Sequence, residues 1–106
     1  LLRAAGVASY LSVIKRFGAR HSPGLLSFPM PGTTVTLDIP APDQRTLEVL
    51  DRADRLILEA GGRLYPAKDR RMRAEIFKAM YPEWTLLEAE RDPALSSSFW
   101  RRVTAD

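Results

Sequence analysis

Two adjacent glycines, Gly61 and Gly62, fix more of this chain's architecture than any other pair of residues. Upstream of them Leu47, Leu50, Ala53, Ile57 and Ala60 recur at steps of three and four, the spacing of one buried helix face. Asp43 stands where the N-cap of such a helix belongs. Glycine accepts the left-handed conformation that other residues avoid, so the helix stops at the pair. Arg63-Leu64-Tyr65 then reads as a short strand, which Pro66 must end or leave at a sheet edge. Lys68 follows just beyond it. Helix, tight stop, short strand and then a positioned Tyr and Lys present two polar tips at a cleft. On the other helix face Glu48 with Arg52 and Asp51 with Arg55 stand four apart in the favourable acid-first order. Each pair adds only ~0.2–0.5 kcal/mol, as expected of a solvated face.

Residues 8–17 carry the β-branched and aromatic content of a strand. Alternation sets Leu11, Val13, Lys15 and Phe17 on one face, with Lys15 the odd polar member. Either Lys15 snorkels to water at the strand end, or it points into a polar pocket beside Phe17. Residues 18–32 hold three prolines and three glycines, which forbids a regular element. Leu25, Leu26, Phe28 and Met30 are too apolar for a solvated loop, so this segment covers either the chain's own core or a partner. In residues 33–39, Val35, Leu37 and Ile39 share a packed face while Thr34, Thr36 and Asp38 share a polar one. That pattern suits an antiparallel sheet whose second side lines a cleft or meets water. Pro40 and Pro42 end the strand.

Beyond Lys68 the run Asp69-Arg70-Arg71-Met72-Arg73 is basic, which describes either a solvated patch or an anion site. Residues 74–80 read as a short helix with Ile76, Phe77 and Met80 inward, stopped at Tyr81-Pro82. Residues 84–91 read as another, broken at Asp92-Pro93, and the tail from Ser96 shows no usable period. The fold class is therefore α+β: a small mixed or antiparallel sheet, one long helix and short C-terminal helices, in one domain spanning residues 1–106.

A chain of 106 residues buries roughly two-thirds of its unfolded surface, enough for one small core. With no cysteine and a single histidine, His21, neither disulfides nor the common zinc sites are available, and no metal site is expected. The 16 basic and 13 acidic residues are spread along the chain, and the resulting +3 is too mild and too mixed to argue for nucleic acid. No run reaches the roughly 18 apolar residues of a membrane span. The opening Leu1-Leu2-Arg3-Ala4-Ala5-Gly6 has no initiator Met and no signal-peptide pattern, and reads as a last helical turn closed by Gly6. A piece of a longer protein is the expectation.

Four stretches carry a resemblance. They are Ser12-Val13-Ile14-Lys15-Arg16-Phe17-Gly18, Leu26-Ser27-Phe28-Pro29-Met30-Pro31-Gly32, residues 56–69 (LILEAGGRLYPAKD) and Ala79-Met80-Tyr81-Pro82. In this order and spacing the chain resembles the C-terminal region of FAD-linked oxidases, the family of decaprenylphosphoryl-ribose oxidase and its aldonolactone-oxidase-like relatives. The resemblance implies a part of the substrate-binding cap, with the FAD-binding domain of the parent protein as partner and a sugar-type small molecule as substrate. By the same resemblance Tyr65 matches the tyrosine that touches the flavin, and Lys68 the catalytic lysine that reaches flavin and substrate. Lys15 and Phe17 match pocket-lining positions. Thr36 falls where some relatives place a cysteine beside the isoalloxazine. Thr33 departs from the pattern, since relatives usually carry tryptophan there.

The implied chemistry suits these residue types. Oxidation of an alcohol carbon loses the hydroxyl proton as hydride passes to the flavin, so the pocket needs a group that polarises or accepts that proton. A lysine whose pKa is lowered by burial can serve as that base, or can stabilise negative charge on the reduced ring. A tyrosine supplies a rigid wall with a hydrogen-bonding tip. The resemblance also implies that FAD belongs to the complete enzyme and is not held by these 106 residues alone. Two other classes stand beside it: an interaction domain using the Leu25–Met30 loop, and a basic anion-binding module around Arg70, Arg71 and Arg73. A cytoplasmic or membrane-peripheral location and a homo-oligomer that covers an exposed sheet edge complete the expectations.

Overall fold

The computed structural model describes residues 1–40, 43–67 and 70–106. Among them are two antiparallel strands and four α-helices, a small α+β fold. The chain divides into two compact units. The first comprises Leu1–Ser22 and Pro29–Leu56, the second Pro23–Phe28 and Ile57–Asp106.

In the first unit β1 (Ser12–Phe17) pairs with β2 (Gly32–Leu37). The register sets Val13 opposite Thr36, Ile14 opposite Val35, Lys15 opposite Thr34 and Phe17 opposite Gly32. Beyond the strands the ladder continues, with the Tyr10 amide donating to the Asp38 carbonyl and the Asp38 amide to that of Leu11, both at 3.0 Å. The packed face expected for Val35, Leu37 and Ile39 is only partly realised: Leu37 and Ile39 are half-buried, but Val35 is exposed, as is Ile14 across from it. The register sets Val13 and Lys15 on one face with Thr34 and Thr36, and gathers Ile14, Val35 and Leu37 on the other, where Ile14 and Val35 remain exposed.

The helix α1 (Gln44–Glu59) starts as the sequence predicts. The Thr46 amide donates to Asp43 Oδ1 at 2.7 Å, and hydrogen bonds from the Thr46 side chain and backbone hold the Asp43 carboxyl below its usual range. Its deepest residues are Val49 and Asp54, whereas Leu47, Leu50, Ala53 and Ile57 are half-buried and Ala60 is exposed. The buried face thus lies slightly to one side of the expected stripe.

The stop at the glycines is a Schellman closure. Gly61, at φ 73°, donates to the Leu58 carbonyl at 2.9 Å, and Gly62 donates to that of Ile57 at 2.8 Å. A side chain on Gly62 would set its Cβ 2.8 Å from Ile57 Cγ2. A turn closed by Gly6 at φ 70° also stands where it was expected near the N-terminus.

The second unit holds the larger core. Here α2 (Ala74–Met80), α3 (Trp84–Glu90) and α4 (Ser98–Thr104) surround Met72, Ile76, Phe77, Met80, Tyr81, Trp100 and Val103. Phe77, with no exposed surface, stacks on Tyr81 at 5.3 Å and meets Phe99 and Trp100 edge-on at 5.7 and 6.1 Å. The two short helices over 74–80 and 84–91 are borne out, and α4 is an element that sequence periodicity missed. Its signal was Ser97, whose Oγ accepts from the Trp100 amide at 3.0 Å as an N-cap.

Candidate functional site

The predicted strand over residues 63–65 is not a strand. The polar groups that a neighbouring strand would have taken are satisfied by core side chains. The Leu64 amide donates to Met80 Sδ at 3.2 Å, and the Leu64 carbonyl accepts from the Tyr81 hydroxyl at 2.6 Å. Tyr81 is buried, and burial pushes its phenol up to about 12, so it remains a hydrogen-bond donor throughout the neutral range. Leu64 itself packs on the core.

On either side of Leu64 the chain reaches the Pro23–Phe28 segment of the same unit. Arg63 Nη1 donates to the Ser27 carbonyl at 3.1 Å, while its guanidinium lies 5.6 Å from the centre of the Tyr81 ring. Tyr65 lies against Phe28, ring centres 5.2 Å apart and planes inclined at 58°. Leu26, two residues before Phe28, packs on the core. Of the two roles open to the apolar loop, this part of it covers the chain's own core. Tyr65 nevertheless remains 61% exposed. A tyrosine whose backbone is fastened to buried side chains and whose ring is backed by a phenylalanine is a pre-positioned aromatic surface.

The other candidates lie in the first unit. By register and alternation Lys15, Phe17 and Thr36 share one face of the hairpin, together with Val13 and Thr34. Thr36 stands diagonally across from Lys15, within reach of a long side chain. Lys15 and Thr36 are exposed and Phe17 is half-buried. The face therefore offers an ammonium, two hydroxyls and an aromatic ring in a row, a set able to hydrogen-bond a polyhydroxylated molecule. Lys68, the residue matched to the catalytic lysine, lies outside the described residues with Asp69, and so do Ala41 and Pro42.

Sequence reasoning passed over Arg63, Ser27 and Phe28 as site-forming residues. The available signal was Phe28, one of the apolar residues too numerous for a free loop. Among the described residues no cluster of His, Asp or Glu could hold a metal ion, and no helix is long and apolar enough to cross a membrane.

With this geometry in place, comparison with known proteins points to one class. Over nearly its whole length the chain is similar to part of an oxidase. That oxidase is decaprenylphosphoryl-β-D-ribose oxidase from Mycolicibacterium smegmatis, 43% identical over 107 residues, which cover 96% of this chain and 23% of the relative. The chain is also 40% identical, over 103 residues, to an uncharacterised protein encoded in the mprA 5′ region of Streptomyces coelicolor, covering 92% of this chain and 28% of that protein. The resemblance read from the four sequence stretches is thereby borne out. The chain spans about a quarter of the length of these curated relatives. No protein-family model matches it.

Proposed function

We propose that this chain is the C-terminal, substrate-binding part of an FAD-dependent oxidoreductase acting on a sugar or aldonolactone hydroxyl. The similarity to the ribose oxidase over 96% of the chain carries this reading. The geometry supports it: the residues present fit one wall of a ring-binding pocket, since Tyr65 offers an exposed ring held by the core beneath it. Bound FAD would supply the hydride acceptor. By the resemblance Tyr65 would bound the ring, and Lys15, Thr36 and Phe17, matched to pocket-lining positions, would contact the sugar. Lys68 would take the hydroxyl proton at Nζ, or stabilise the negative charge that develops as it leaves. An FAD-binding domain of the parent would hold the rest of the cofactor.

Steady-state kinetics of the complete oxidase test this reading, with flavin content measured on each variant. Lys68→Ala lowers kcat by ~10²-fold or more, the usual size for a lost proton-transfer or charge-stabilising group. Lys68→Arg separates the two roles: a guanidinium cannot act as a base, so kcat stays low if Lys68 takes the proton and recovers in part if it stabilises charge. Tyr65→Phe keeps the ring and costs less. Near-normal kcat in Lys68→Ala with flavin bound would refute the assignment.

A second reading, an interaction module without catalytic activity, draws support from the exposed Tyr10, Ile14 and Val35 of the hairpin. It predicts self-association in light scattering and no binding of sugar by the complete protein.

A further inference from the structure

We infer that Arg63 is a positioning residue for Tyr65 and acts through the Pro23–Phe28 segment, with Phe28 as the second ring of the same wall. This inference rests on the proposal that Tyr65 bounds the flavin ring.

Leu64 is anchored from below at both its amide and its carbonyl, so the backbone leading into Tyr65 is fixed. That anchorage sets the Tyr65 Cα but not its ring, which is free to rotate about χ1 and χ2. The ring has one described aromatic neighbour, Phe28 at 5.2 Å. Phe28 in turn sits on a segment with no regular secondary structure of its own. Among the contacts that keep that segment in place are the turn closed by the Ser27 amide on the Gly24 carbonyl at 3.0 Å, Leu26 in the core, and the Arg63 guanidinium on the Ser27 carbonyl.

Of these, Arg63 couples the segment to the Tyr65 backbone directly. It belongs to the same short stretch as Tyr65, and it grips the residue next to Phe28. A charged donor on a carbonyl is among the stronger hydrogen bonds, and here the guanidinium is also seated over the ring of a buried tyrosine. The two residues flanking Leu64 thus close a loop of contacts: Arg63 to Ser27, Ser27 to Phe28 through the chain, and Phe28 back to Tyr65. Breaking the first contact loosens the Ser27 end of the segment that carries Phe28, and a shifted Phe28 backs the Tyr65 ring less closely. Lysine at 63 can still reach the carbonyl but lacks the planar group that lies on Tyr81, so it replaces Arg63 only in part.

The test uses the complete oxidase loaded with FAD and reads the fluorescence of the bound flavin, which a contacting tyrosine ring quenches, together with its affinity for FAD. Tyr65→Leu relieves the quenching and weakens FAD binding about 2–10-fold, the range of one aromatic contact. Arg63→Met and Phe28→Leu relieve it in the same direction by less, and Arg63→Lys lies between Arg63→Met and the unsubstituted enzyme. Val103→Ala, a truncation in the same core, lowers thermal stability yet leaves the flavin signal unchanged. If Tyr65→Leu alters the signal while Arg63→Met and Phe28→Leu do not, the positioning role is overturned and the wall survives. A Val103→Ala change as large as that of Arg63→Met also overturns the role, by making it merely structural. If Tyr65→Leu is silent, the proposal that Tyr65 bounds the flavin fails, and this inference fails with it.

Discussion

The two units of this chain carry their candidate residues in opposite ways. The second unit presents Tyr65 from a buried aromatic core, each backbone polar group of Leu64 being tied to a side chain of that core. The hairpin of the first unit presents Lys15 and Thr36 from a sheet with exposed Ile14 and Val35 on its reverse face. An isolated two-stranded hairpin is marginal in water, whereas an aromatic core can define its own geometry. One candidate surface is therefore backed by a buried aromatic core, and the other rests on a backbone ladder whose side chains are exposed or half-buried.

The largest expected effect follows from that contrast. Phe77→Ala removes the ring on which Tyr81, Phe99 and Trp100 converge, and should cost about 3–5 kcal/mol in chemical denaturation. Ile14→Ala, at a residue 71% exposed, should change stability by no more than about 0.5 kcal/mol. Equal losses would erase the distinction between the units.

Tyr81→Phe comes next. It leaves the Leu64 carbonyl without its donor, and should cost ~1–3 kcal/mol if that carbonyl finds no other partner. The same phenol gives an alkaline signature. Its pKa is raised by burial from 10.0 to about 12, so the folded state favours the protonated form. Stability from this source is complete below pH 10 and is lost as pH rises through 12. Alkaline unfolding followed by circular dichroism should lose that component in Tyr81→Phe.

Gly61→Ala should cost about 1–2 kcal/mol, because alanine at φ 73° is strained even where space is open. Thermal denaturation measures this, and hydrogen exchange at residues 63–65 should rise with it as the helix stop loosens.

The smallest effect concerns the seam between α3 and α4. Arg91 donates to Glu88 through Nε at 2.8 Å and Nη2 at 2.7 Å, and the Trp100 indole donates to Glu88 Oε2 at 2.5 Å. These bonds, led by Arg91, bring the Glu88 carboxyl from 4.5 down to about 2. The stability they add is present above pH 4.5 and is lost as pH falls through 2. Trp100 fluorescence, in a Trp84→Phe background, should change across that window and stay flat in Glu88→Gln.

Much of this was legible in the sequence where a local rule decides the outcome. Asp43 before a periodic run and Gly61-Gly62 after it fix both ends of α1, and Ile76, Phe77 and Met80 are the inward face of α2 as their spacing says. Residues 63–65 were misread because the partners of Leu64 are side chains 16 and 17 positions downstream, which no local pattern announces. The hairpin strands were legible but their shared faces were not, since alternation within a strand does not give the register between strands. In α4 seven residues are too few for a period to emerge, and only the Ser97 cap marked it. Tyr65 became a candidate through the resemblance; its contacts with the Arg63–Ser27–Phe28 segment were not legible, because they join segments 36 residues apart.

The most direct measurement is a crystal structure of the complete parent protein with FAD bound. The account predicts the Tyr65 ring in van der Waals contact with the isoalloxazine, at about 3.5–4.0 Å between carbon atoms, with Phe28 still behind it and Arg63 still on the Ser27 carbonyl. A flavin bounded by other residues, with Tyr65 facing solvent, would contradict it.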